Sequence, residues 1–302
     1  MVKVIVVLVI LIIVAVALYG LFSDLAAKMH FSNLPYSFFR VSSSSFGIGV
    51  KVKPASNFAP QPSTEPVKKP YQVSPPPGVS QKDLSPFYDN VRITSVQPPR
   101  SNSEISWLTL NTAQSLGSNL VDITGWKIKT NKSYVIIPRG ISDYNPSNLT
   151  PASDIIFKSG DYAKIYSPTN QTLRNNLRLN KCAGYLNSQF TINPTLPNGC
   201  PNFSREEIST FPGACQSFIL GLRSCQIPTP NQINSLSTSN NSCVNFLNLI
   251  NYRGCYQKHR ADANFFSNEW RVWLDQNIPL DKEHDRVLLL DRSGLLVNVF
   301  IY

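Results

Sequence analysis

The sequence predicts a mainly β head. It reads as a β-sandwich interrupted by a small, mostly helical, disulfide-rich insertion and carried on an N-terminal transmembrane helix. Residues 91–166 and 286–301 break into short runs of β-formers separated by turn residues, all six cysteines fall between Cys182 and Cys255, and residues 4–22 carry no charge. Evenly spaced short strands indicate a sandwich. Clustered cysteines indicate a stapled segment, and a long uncharged run indicates a membrane span.

The run from Val4 to Phe22 holds nineteen residues, rich in Val, Ile and Leu and preceded only by Lys3. At 1.5 Å rise per residue it would extend about 28 Å as a helix, close to the roughly 30 Å hydrocarbon core of a bilayer. A cleaved secretory signal has a shorter apolar region, of about 7–15 residues, so an uncleaved anchor is expected. Flanking charge hardly orients it, because Asp24 and Lys28 nearly cancel. The cysteines orient it better: an even count without a C-x-x-C pair favours disulfides over zinc, and disulfides need an oxidising compartment. The head is therefore expected outside the cytoplasm, at the cell surface or in the envelope.

Ten of the 23 prolines lie between Pro35 and Pro86, beside the Ser42 to Ser45 run and Pro75-Pro76-Pro77. Proline fixes φ and removes a donor, so this stretch reads as an extended spacer. The predicted organisation is an anchor over residues 1–22, a Pro/Ser-rich stalk over 23–89, a first part of the sandwich over 90–168, a Cys-rich helical insertion over 169–284, and a closing hairpin over 285–302.

Candidate strands cover residues 91–96, 105–111, 121–129, 134–137, 154–157, 162–166, 286–290 and 295–301. The last two are joined by Asp291-Arg292-Ser293-Gly294, a turn whose glycine can take positive φ. Alternation places Trp126 on one face with Ile128, which predicts a core indole. Trp107 shares a face with Ile105 and Thr109, whereas Leu108 and Leu110 share the other.

Several of these segments resemble a known family in order along the chain. Glu104-Ile105-Ser106-Trp107-Leu108-Thr109-Leu110-Asn111 and Val121-Asp122-Ile123-Thr124-Gly125-Trp126-Lys127-Ile128 are similar to the two signature strands of the lamin tail domain. Ile137-Pro138-Arg139-Gly140, the turn Ser159-Gly160-Asp161-Tyr162 and the hairpin from Asp285 to Tyr302 also fit. The resemblance implies an immunoglobulin-like sandwich of about a hundred residues, with Trp107, Asn111, Gly125, Trp126, Gly160 and Asp161 as its motif core. The closer likeness is to membrane-anchored bacterial members with a cysteine-bearing insert.

The departure from the family pattern is the stretch of about 115 residues after Tyr166, which carries every cysteine. Ser204-Arg205-Glu206-Glu207 reads as a capping box, with Ile208 and Phe211 at helical spacing. Residues 215–222 and 243–250 read as two more short helices, while residues 268–274 fit a strand or a helical turn equally. Short helices bury little surface, so Cys182, Cys200, Cys215, Cys225, Cys243 and Cys255 are expected to form three disulfides, whose pairing fifteen arrangements leave open. Reduction is then expected to loosen the insertion and leave the cysteine-free sandwich standing.

The net charge of +10 invites a nucleic-acid reading, but it divides as +4, +3, +3 and 0 over residues 1–90, 91–168, 169–283 and 284–302. No basic arm or stripe stands out in sequence, so DNA binding, if present, is expected to be weak and salt-sensitive. Three histidines limit the catalytic options. Cys255 and His259 stand at helical spacing for a thiolate–base pair, but an oxidised Cys255 has no thiolate. His284-Asp285 lacks the further ligands that a metal dyad requires. Glu206 and Glu207 diverge by about 100° on a helix. No catalytic, cofactor-binding or metal-ligating residue is assigned, and no cofactor is expected. The expected role is adhesion or scaffolding, with the membrane and an unidentified protein or envelope polymer as partners. The alternatives are DNA or another polyanion, and an accessory module of an envelope enzyme.

Overall fold

A computed structural model describes residues 74–101, 104–148, 150–236 and 241–302. The chain divides into two units, 1–68 and 69–302, and the first lies outside the described residues. The predicted anchor and most of the predicted stalk fall there. Among the described residues, no helix is long and apolar enough to cross a membrane.

The second unit is mainly β and carries three disulfides. Its strands are β1 (Val91–Gln97), β2 (Trp107–Thr112), β3 (Val121–Asp122), β4 (Lys127–Lys129), β5 (Tyr134–Ile136), β6 (Ile156–Phe157), β7 (Tyr162–Tyr166), β8 (Leu177–Asn180), β9 (Phe266–Trp273), β10 (Arg286–Leu290) and β11 (Leu296–Ile301). One sheet runs β1-β2-β7-β9-β8, a second runs β11-β10-β4-β5, and β3 pairs with β6. Among the described residues four short helices follow β8: α1 (Gly213–Gly221), α2 (Pro230–Leu236), α3 (Asn241–Asn248) and α4 (Tyr252–His259).

The two large sheets bury one shared core. Val91, Leu108, Leu110, Ala163, Ile165 and Val272 from the first sheet meet Ile128, Val135, Val287 and Leu289 from the second. Trp126 lies in this core at 2% exposure, as alternation predicted. The predicted strand over residues 121–129 is split in two, because Gly125 takes φ +78 and its N–H donates to the Ile137 carbonyl. A turn at that point is inexpensive only for glycine.

The opposite face of the five-stranded sheet is also buried. Tyr166, Leu177, Leu179 and Trp273 join a second core with all of the cysteines except Cys255, which packs against it together with Ile105 and Trp107. The disulfides are Cys182–Cys255, Cys200–Cys225 and Cys215–Cys243. The cysteine-bearing segment is thus a lid over the outer face of the sheet.

This arrangement moves the predicted boundaries. The stretch 169–284 was assigned to the helical insertion, yet β8 and β9 within it belong to the five-stranded sheet. β9 lies between β7 and β8, in parallel register with β7, so that Tyr162 pairs with Glu269 and Tyr166 with Trp273. Parallel neighbours need a long crossover, and the cysteine-bearing segment supplies it. Residues 84–89, assigned to the stalk, pack on the head instead. Ser85 N–H donates to the Leu296 carbonyl and Asp89 N–H to the Val297 carbonyl, while Phe87 lies 6.0 Å from Trp126. The capping box also behaves differently from expectation. Glu207 N–H does donate to Ser204 Oγ at 3.2 Å, but residues 205–210 form turns instead of a helix. Pro212 disfavours helical backbone at Phe211 and starts α1 as its N-cap.

Candidate binding surface

The motif residues are distributed through the scaffold and do not converge on one site. Trp107 is half-buried against the lid, and Trp126 fills the shared core. Gly160, at φ +88, turns the chain into β7 and donates its N–H to Thr112 Oγ1 at 2.8 Å. Asp161 is 1% exposed; its carboxylate accepts from the Lys158 N–H at 3.0 Å and from Arg178 at 3.3 Å. Burial pushes its pKa up against both of those contacts. Asn111 lies opposite Arg92 and Tyr162, and its buried Oδ1 has no hydrogen-bond partner among the described residues.

The chemistry-bearing side chains flagged in the sequence are likewise bound into structure. Cys255 is oxidised, and His259 Nδ1 sits 2.9 Å from Asp262, whose carboxylate also takes Lys181. Asp285 is buried and accepts the N–H groups of Asn131, Asp281 and Arg286. Glu207 pairs with Lys258, while Glu206 is held below the usual carboxylate range by its own backbone N–H and by Ser204. Among the described residues, no group of three His, Cys, Asp or Glu side chains could hold a metal ion.

A polar network lies between the five-stranded sheet and the lid. Arg271 donates to Glu269 at 2.5 Å and to the Tyr166 hydroxyl at 2.7 Å, and the Tyr162 hydroxyl donates to Glu269 at 2.8 Å. Burial raises both phenols to about 12. With Arg271 at 4% exposure and its partners in place, the network is a structural lock. The lid has its own cavity of about 130 Å³, bounded by Phe203, Phe246, Leu249 and Ile250. The charged groups at its rim, Lys258, Glu207 and His259, already pair with one another or with Asp262.

The outer face of the β11-β10-β4-β5 sheet differs from all of these. The lateral register aligns Val299, Leu288, Lys129 and Tyr134 in one row, and Leu290, Lys127 and Ile136 in the next, with Arg286 and Ile301 paired at the end. An antiparallel sheet with one solvated face normally alternates apolar-in and polar-out. Here the outer face is apolar as well: Ile301 is 72% exposed, Tyr134 51% and Ile136 50%. The polar members are all basic, and Lys127 Nζ lies 5.6 Å from the centre of the Tyr134 ring. Among the described residues no carboxylate pairs with Lys127, Lys129 or Arg286. Beyond β5 runs an open cavity of about 520 Å³, between Tyr134, Ile136 and Pro138 on one side and Leu274, Asp275 and Gln276 on the other.

This face was not among the candidates expected from the sequence. Its signal was present in Lys127-Ile128-Lys129, Tyr134-Val135-Ile136 and the run Arg286 to Leu290, where residues expected to face water are basic or apolar and never acidic. Comparison with known proteins returns nothing to set beside this surface: no family model, no curated protein and no solved structure matches the chain.

Proposed function

We propose that the chain is a membrane-anchored, non-enzymatic binding protein. Its head, an immunoglobulin-like sandwich of the lamin-tail type, stands outside the cytoplasm and takes up a protein partner on the outer face of the β11-β10-β4-β5 sheet. The observation that carries the reading is that face: contiguous, exposed, apolar between basic side chains, and uncovered among the described residues, whereas the corresponding face of the other sheet is closed by a disulfide-stapled lid. Exposed apolar patches rimmed by polar groups mark interaction sites. The immunoglobulin-like assignment is supported by two sheets sharing one core and by the order of the motif segments along the chain. The uncharged run 4–22 supports the anchor, and the three disulfides support an oxidising compartment.

A polyanion is the second reading, favoured by Lys127, Lys129 and Arg286 standing unpaired on one face beside Tyr134. Titration of the chain with a DNA duplex over a salt series separates the two. Phosphate neutralisation predicts affinity falling with salt at a slope of about 0.9 per contact, or about 3 for three cations. A partner protein held mainly by Tyr134, Ile136 and Ile301 keeps most of its affinity at the same salt and loses it on Ile301→Asp.

A further inference from the structure

The sheet edges in this head are closed in different ways, and one is left open. The β11 edge is covered by the chain itself, through the Leu84–Leu296 bridge and the Ser85 and Asp89 N–H groups. The β1 edge is met by Asn298, whose Oδ1 accepts from the Ile93 N–H at 3.0 Å. The β8 edge is met by Ile141, which exchanges backbone hydrogen bonds with Asn176 and Arg178. Only β5 lacks such a cover among the described residues of these two sheets.

Its backbone groups can be assigned from the register. The Ser133 carbonyl accepts from Thr130, the Ile137 N–H donates to Trp126, and Val135 lies opposite Ile128. Residues 133, 135 and 137 therefore face β4, so the N–H and C=O groups of Tyr134 and Ile136 point away from the sheet. An unpaired edge is a template for another strand unless something blunts it. Here the 520 Å³ cavity lies alongside, and a second of equal volume continues it, sharing Pro138, Leu274 and Asp275 and reaching Arg174 and Asn176. Gln171, which lines that second cavity, has a buried Oε1 without a partner among the described residues.

Charge selects the occupant. Lys127 and Lys129 flank the open face, Arg174 stands at the far end of the groove, and Asp275 is the only carboxylate that lines either cavity. The chain's own residues 1–73 carry seven basic and two acidic side chains, so they are a poor source of an acidic segment. A second copy docking edge to edge would set β5 against β5, whose residues Tyr134–Ile136 offer no acidic side chain to Lys127 and Lys129. We infer that β5 is a docking edge that takes up an acidic, extended segment of another protein as a fifth strand. Acidic residues at alternate positions of that segment lie beside Tyr134 and Ile136, on the same face as Lys127 and Lys129, its apolar residues turn to the other face, and its backbone continues the ladder. This rests on the outer face being a binding surface, as proposed above, and adds how the partner is held.

The test uses the 302-residue chain in detergent and the peptide Glu-Val-Glu-Val-Glu-Val as probe. Ile136→Pro removes an outward N–H, a change that edge strands tolerate, and Ile136→Ala, which keeps that N–H, controls for the lost side chain. Fluorescence anisotropy is expected to show binding that falls at least tenfold in Ile136→Pro, at least tenfold when alternate peptide amides are N-methylated, and at least tenfold in Lys127→Glu/Lys129→Glu. The Lys-Val counterpart is expected not to bind. Should Ile136→Pro misfold, the N-methylated peptide reads the same ladder on the unaltered chain. Loss on charge reversal, with N-methylation and Ile136→Pro both without effect, overturns strand addition and leaves the binding face standing. Absence of binding at millimolar peptide, or binding indifferent to every change, overturns both.

Discussion

Removing the Cys182–Cys255 bridge, by replacing both cysteines with alanine, is expected to be the most damaging loss of a disulfide in this head. The bridge closes a loop of 73 residues, against 25 for Cys200–Cys225 and 28 for Cys215–Cys243. The chain-entropy relation converts these lengths to about 4.4, 3.5 and 3.6 kcal/mol at room temperature. The longest loop is also the one that joins α4 to the end of β8, whereas the other two staple the lid to itself. Because the lid shares its core with Tyr166, Leu177 and Trp273, loosening it uncovers one face of the five-stranded sheet. Lid and sheet are therefore expected to lose stability together, in contrast to the sequence-based expectation of separate unfolding. Urea unfolding followed by tryptophan fluorescence and by far-ultraviolet circular dichroism reads this directly. With a slope of about 2.5 kcal/mol/M the midpoint should fall by roughly 1.8 M, and the two probes should stay coincident. A loss under about 1 kcal/mol, a larger loss from Cys200–Cys225, or fluorescence moving while the β signal stays fixed would refute the reasoning.

Three further outcomes are expected. Gly254→Ala puts a methyl 1.9 Å from the Leu249 carbonyl oxygen at the start of α4, so it should cost about 3 kcal/mol in thermal melts, whereas Leu249→Ala at the exposed neighbour should cost little. Arg271→Met leaves the Glu269 carboxylate buried without its main partner and should cost about 3–5 kcal/mol, most of it recovered in Arg271→Met/Glu269→Gln. Tyr162 and Tyr166 have folded pKa values raised from 10 to about 12, so the stability they lend is whole below pH 10 and is lost as pH rises through 12; phenolate absorbance should show their ionisation arriving together with unfolding.

The strands were legible where one face is buried and the other is not. Arg286–Leu290 alternates cleanly and occurs at the expected bounds, as does Tyr162–Tyr166 up to Tyr166, which is buried on the lid side. Phe266–Trp273 could not be read by period, because Glu269 to Trp273 are all buried, with Trp270 and Val272 facing one core and Trp273 the other. Leu177–Asn180 is four residues long, too short to show a pattern. The disulfide region was legible from cysteine spacing, but the pairing depends on how the lid folds over the sheet. The candidate surface escaped because its apolar outward residues, Leu288, Leu290 and Val299, look in sequence like ordinary core positions. Only the register, which lines them up beside Lys127, Lys129 and Tyr134, shows them sharing one face.

The central claim is that a membrane-held head engages a partner through this face. Site-specific photo-crosslinking in intact cells tests it: a photoreactive residue replaces Tyr134 in one variant and Ser115, exposed and outside this sheet, in another. The expected result is a discrete crosslinked product in the membrane fraction from position 134, lost when Lys127→Glu/Lys129→Glu is added, and none from position 115. Equal crosslinking from both positions, none from position 134, or recovery of the chain only in the soluble fraction would contradict the account.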